Sequence, residues 1–163
     1  MPTQPSVSAY AQKADVEYWA VIVGVANYPG YNDLDYTDDD AYDVRDALLA
    51  STNWEADHIT MLIDSGATKA NIQSAIADMA TNGDSNDVFF FFFSGHGTRL
   101  SYDQVPIDET DGKDEALCQY DFQPPGPGPI TDDELGVWLS ALPGAPVLVA
   151  TDTCYSGGMI KAG

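Results

Sequence analysis

The chain has 163 residues, 44% hydrophobic and 11% aromatic, enough apolar material to bury a core and too much for a disordered chain. Six Lys and Arg stand against 26 Asp and Glu, and the net charge of -20 repels phosphate backbones and anionic bilayers, which argues against nucleic acid and membrane partners. Cys118 and Cys154 make no disulfide framework, the amino terminus lacks the apolar core of a signal peptide, and no segment reaches the roughly 18 apolar residues of a bilayer span; a reducing, cytoplasmic setting fits best.

Residues 1–16 read as a flexible leader and 17–163 as one domain. WAVIVGVANY is a strand that ends in the turn signals Asn27, Pro29 and Gly30. A helix follows to about residue 51, with Thr37 or Asp38 as its cap and Ala41, Val44 and Leu48 at helical spacing. HITMLI (58–63) is a second strand. Thr68 opens a second helix whose Ile72, Ala75, Ile76 and Met79 form one apolar face before Asn82-Gly83 stops it. The third strand is the run VFFFFF (88–93), unbroken and therefore suited to cover on both faces. From Thr98 to Ile130 periodicity disappears, and the stretch reads as one long polar loop. Thr131-Asp-Asp-Glu134 is a capping box before a third helix carrying Leu135, Trp138, Leu139 and Leu142, and PVLVAT (146–151) is the fourth strand. Strands alternating with helices predict an α/β fold with a mainly parallel sheet and helices on both faces.

In such sheets chemistry sits just past the carboxyl ends of strands. His96 follows the third strand in SGHG, and Cys154 follows the fourth in DTCYSGG. If those strands are neighbours, a thiol and an imidazole share one crevice, the minimum for acyl transfer: the thiolate attacks a carbonyl and the imidazole protonates the leaving amine. The N–H groups of Gly97 and Cys154 are then candidates for stabilising an oxyanion. A lone Cys is commonly a small buried hydrophobe and a lone His commonly structural. The chain has only two of each, however, and one of each falls at a glycine-flanked strand exit. His58 reads as a strand-edge residue and Cys118 as packed beneath the long loop. One Cys and one His without CxxC or HxxxH spacing make a poor zinc site.

The pair FSGHG and DTCYSGG, with VIVGVANY, LDYTDDDA and DGKDEALCQYDF, resembles the caspase-like cysteine peptidases, in particular their metacaspase and orthocaspase branch, from about Tyr18 onward. The resemblance implies a caspase-hemoglobinase type three-layer sandwich with Cys154 as nucleophile and His96 as general acid/base. Tyr155 departs from the His that metacaspases commonly carry beside the nucleophile. The similarity is to the large-subunit portion, and it implies a small-subunit segment as partner that adds strands and completes the cleft; an uncovered fourth strand would be adhesive. It further implies a possible calcium cofactor, with Asp114, Asp132 and Asp133 in ligand positions and Lys161 where a fourth acidic ligand is expected. Where caspases carry Gln two residues before the nucleophile, this chain has Asp152, and Asp40 matches the metacaspase acid of the primary specificity pocket; Ser94, two residues before His96, is similarly placed to accept a hydrogen bond. Two carboxylates in a pocket imply protein or peptide substrates cleaved after Arg or Lys. Two rivals stand against this reading: a non-catalytic caspase-like interaction module and an Asp-specific caspase-type peptidase. A flavodoxin-like phosphate binder lacks a glycine-rich loop after the first strand and carries the wrong charge.

Overall fold

The computed structural model describes residues 15–154 apart from 105, 108 and 145; most of the leader, Tyr155 and Lys161 lie outside the described residues. The continuous apolar runs become the central sheet. Strands β1 (Tyr18–Gly24), β2 (Ile59–Ile63), β3 (Val88–Ser94) and β7 (Val147–Asp152) are all parallel, in the order β2-β1-β3-β7. The phenyl rings of β3 alternate between two cores, which explains the unbroken run. Phe89, Phe91 and Phe93 join Val21 and Val23 beneath α2 (Lys69–Asn82) and α3 (Asp132–Leu139), while Phe90 and Phe92 join Ala20, Ile22 and Ala41 beneath α1 (Thr37–Leu49). Each face of the sheet is thus covered by helix, the three-layer arrangement implied by the sequence.

Helix boundaries follow local chemistry. Thr68 Oγ1 accepts from Asn71 N, and Thr131 forms both halves of a capping box with Glu134. Lys69 Nζ binds Glu134 at 2.6 Å and joins α2 to α3. At α1 the expected cap is displaced: Tyr36, in the left-handed region at φ 72°, occupies the N-cap, and Thr37 Oγ1 donates instead to Val25 O. The long loop also departs from expectation. It contains a second, antiparallel sheet of β4 (Gly97–Arg99), β5 (Glu115–Leu117) and β6 (Ile130–Thr131), whose two- or three-residue strands are too short to leave a periodic signal. Ala116 and Leu117 of β5 and Cys118 just after it are buried. His58 stacks on Trp19 at 3.8 Å as the chain enters β2. Among the described residues no helix is long and apolar enough to cross a membrane.

Candidate active site

The side-by-side pairing of β3 and β7 brings the two strand exits together. Ser94 pairs with Asp152 in the ladder, and Gly95 N donates to Asp152 O at 3.3 Å. Beyond this row the main chain at Gly97 lies directly against Thr153 and Cys154, so close that a Cβ at position 97 would overlap the Cys154 carbonyl and the Thr153 hydroxyl. Glycine is required there by close approach. His96 and Cys154 therefore leave adjacent strands into the same space; His96 is half-buried and Cys154 is an exposed free thiol.

The imidazole is held in one orientation. His96 Nε2 lies 2.8 Å from Asn32 O, and since a carbonyl can only accept, Nε2 carries the proton and the Nδ1 lone pair stays available. Tyr28 and Tyr31 pack on the ring, with centroids at 4.9 and 5.0 Å. Main-chain pairing also sets the Gly97 amide. Cys118 N donates to His96 O and Leu100 N to Asp114 O, so the narrow pairs of the β4–β5 ladder fall at 96, 98 and 100, and Gly97 N–H points away from β5. The second cysteine has the opposite environment: Cys118 is 2% exposed, and burial pushes its thiol up to about 12.

On the α1 side of the sheet, Ser94 Oγ donates to Asp40 Oδ2 at 3.0 Å. Paired residues of a parallel ladder share a face, so Asp152 lies on the same side as Ser94. Ser94 is fully buried and Asp40 half-buried, whereas Asp152 is exposed, at the mouth of this crevice instead of its floor.

The acids expected together divide into two neighbouring groups. Asp103, Asp114 and Asp133 bring carboxylate oxygens within 4.8 Å of one another, and Asp132 groups with Glu109 and Glu115. Consecutive residues at the start of α3 project differently, which separates Asp132 from Asp114 and Asp133. Burial first, then the Asp103 and Asp133 carboxylates, hold Asp114 above the ordinary carboxylate range, against the opposing hydrogen bond from Gln104 N. Asp103 Oδ1 is buried without a hydrogen-bond partner, so the first group suits a hard divalent cation.

Residues with no flag in the sequence also shape the site. Asn32 acts through its carbonyl, which any residue type supplies. Asp64 Oδ1 accepts from Ala26 and Asn27 N–H at 2.9 Å each and anchors the loop after β1; only its position at a strand end hinted at this. Among the described residues a concavity of about 630 Å³ lies away from the dyad, between α3 and the edge strand β7, with Leu135, Val137, Leu139, Val147 and Val149 on its walls.

A parallel sheet that delivers one histidine and one thiol from neighbouring strands defines the class of caspase-like α/β proteins. The model of the metacaspase, peptidase C14 domain family matches residues 19–162, and the chain belongs to that family. It is 34% identical over 148 residues to metacaspase-4 of Arabidopsis thaliana, covering 86% of this chain and 34% of that protein. It is 30% identical over 149 residues to metacaspase-1 of Kluyveromyces lactis, covering 86% and 34%. A crystal structure of a Geobacter sulfurreducens protein superposes with a TM-score of 0.68 at 30% identity, covering 85% of this chain and 50% of that one. The chain thus spans about a third of the length of these curated relatives.

Proposed function

We propose that this chain carries the catalytic dyad of a cysteine endopeptidase that cleaves after Arg or Lys and is supported by calcium. The observation that supports the reading is that an exposed thiol, Cys154, and an imidazole whose Nε2–H is committed to Asn32 O follow the paired strands β7 and β3. His96 Nδ1 takes the proton of the Cys154 thiol as Sγ attacks the scissile carbonyl, and passes that proton to the leaving amine as the C–N bond breaks; water, deprotonated by Nδ1, then attacks the thioester and releases the acyl group as the acid, the proton returning to sulfur. Gly97 N–H, directed away from its ladder, and Cys154 N–H receive the oxyanion. Asp40, fixed by Ser94, and Asp152 supply negative charge for a guanidinium or ammonium group. Asp103, Asp114 and Asp133 would hold calcium, with Asp132 adjacent; the ion would neutralise a buried acidic cluster beside β4 and β5, which adjoin the site. A small-subunit segment laid along β7 would cover Leu148, now 54% exposed, and the apolar groove of α3. A reducing, cytoplasmic compartment suits a nucleophilic thiol.

Fluorogenic peptides ending in Arg, Lys or Asp, with and without calcium, test the reading. Arg and Lys peptides are turned over, Cys154→Ala and His96→Ala abolish turnover, and Asp152→Ala cuts Arg-peptide kcat/KM by about 100-fold while Cys154 still alkylates. Hydrolysis that survives Cys154→Ala, or preference for Asp, overturns it.

A further inference from the structure

We propose that Tyr28 is a positioning residue for His96: its hydroxyl locks the main chain of the histidine by accepting from His96 N–H while donating to the Cys118 carbonyl. The inference rests on the peptidase reading above. Tyr28 is 5% exposed, its Oη lies 2.9 Å from His96 N and 2.8 Å from Cys118 O, and Cys118 N donates to His96 O at 2.9 Å. Three bonds therefore close a ring through Tyr28, His96 and Cys118, and both main-chain groups of His96 are taken. At the turn after β3 the pairing with β5 is interrupted at one point: Cys118 N reaches His96 O directly, but His96 N and Cys118 O meet only through the Tyr28 hydroxyl. The ring completes that pair.

The loop after β1 thus grips the histidine twice, at the main chain through Tyr28 Oη and at the ring through Asn32 O. The loop is itself braced: Tyr28 N donates to Asp33 Oδ1 at 2.8 Å, Leu34 N to Ala26 O at 2.8 Å, and Asp64 holds the amides of residues 26 and 27. Only an atom that donates and accepts at once satisfies both partners, which a neutral hydroxyl does. Burial, the largest influence on Tyr28, raises its ionisation far above the usual phenol range, so the hydroxyl keeps its proton throughout any enzymatic pH range. Gly95 leaves the passage open, since a Cβ there would sit 2.6 Å from Tyr28 Oη. Phe122 and Tyr31 stand edge-on to the phenol at 6.0 and 6.4 Å and fix its plane.

Tyr28→Phe keeps the ring and removes both bonds. A 1 Å displacement of a catalytic group is enough for large losses, so kcat for an Arg peptide should fall about tenfold with KM within about twofold. The pH profile of Cys154 alkylation should move toward that of His96→Ala. The comparator is Ile76→Val, a core change in α2 far from the dyad, which lowers melting temperature but leaves kcat and the alkylation profile unchanged below the melt. A Tyr28→Phe protein that behaves like Ile76→Val confines Tyr28 to stability and overturns the proposal. Gly95→Ala leaves every partner in place but crowds the hydroxyl at 2.6 Å and, less closely, the Phe93 ring at 3.0 Å; it should reproduce both the kcat loss and the moved alkylation profile, and if Tyr28→Phe does not fold, a Gly95→Ala protein that keeps both unchanged overturns the proposal. If His96→Ala itself alters neither hydrolysis nor the alkylation profile, the peptidase reading falls, and this proposal with it; if His96→Ala alters both and the two positioning variants alter neither, this proposal alone falls.

Discussion

Thiol alkylation separates the two cysteines on physical grounds. Thiolate is the reactive form, and with Cys118 pushed up to about 12, roughly one molecule in 10⁴ is ionised there at pH 8, against roughly one in four for a free cysteine in water. Ionisation alone slows Cys118 by about three orders of magnitude relative to a free thiol, and its 2% exposure adds a steric barrier. Cys154 is exposed and follows the strand paired with the one that leads to His96, whose Nδ1 lone pair is available. One equivalent of iodoacetamide at pH 8, followed by peptide mapping, should therefore label Cys154 and leave Cys118 intact, and the loss of peptide hydrolysis should track the first label one to one. In denaturant the two thiols should react alike. Comparable native rates, or hydrolysis that persists in singly labelled protein, would refute the assignment of nucleophile and structural thiol.

Calcium should act through charge. Asp114 is raised, so without a cation its stability contribution is present at low pH and lost as pH rises through its folded-state titration; a bound cation reverses that loss. At 100 times its dissociation constant calcium should add about 2.7 kcal/mol at pH 7.5, seen as a higher melting temperature, with the gain fading toward pH 4.5 and absent in Asp133→Asn. No shift in millimolar calcium, or one independent of pH, removes the site. In the core, Phe91→Ala at a fully buried position should cost about 3–5 kcal/mol in urea unfolding. Asp87→Ala strands three donors, Glu17 N, Trp19 Nε1 and Asp84 N, and should cost roughly 2–4 kcal/mol by the same assay.

The central sheet and the three helices are legible in the sequence because each is a continuous or periodic apolar signal of five residues or more. His96 and Cys154 are legible because they stand at the ends of those signals, where an α/β sheet presents its chemistry. The small sheet β4–β6 is not, since strands this short carry no period and are held by ladders set by residues far away in sequence. Main-chain roles escape for a different reason: Asn32 offers only its carbonyl and Gly97 only its amide and its lack of a side chain. The acids of the cluster escape by abundance. Among 26 Asp and Glu, nothing local separates Asp103, Glu109 and Glu115 from solvated surface acids until the fold draws them into clusters with Asp114, Asp132 and Asp133.

A strand of five consecutive phenylalanines has a reading-frame problem. In an alternating strand, a slip of one residue throws apolar side chains into water and is strongly opposed; in β3 the same slip exchanges one phenyl ring for another and both cores stay filled. The frame must come from the polar residues at the two ends. Asp87, 1% exposed, clasps Glu17 N and Trp19 Nε1 at the start, and Ser94 binds Asp40 through its hydroxyl and receives Val25 N–H at the finish. Ser94 therefore does two jobs, fixing which ring faces which core and setting the distance from the sheet to His96. Loss of one phenylalanine from the run would leave a strand still able to pair, yet with its terminal serine on the wrong side of the sheet and its histidine turned away from the thiol.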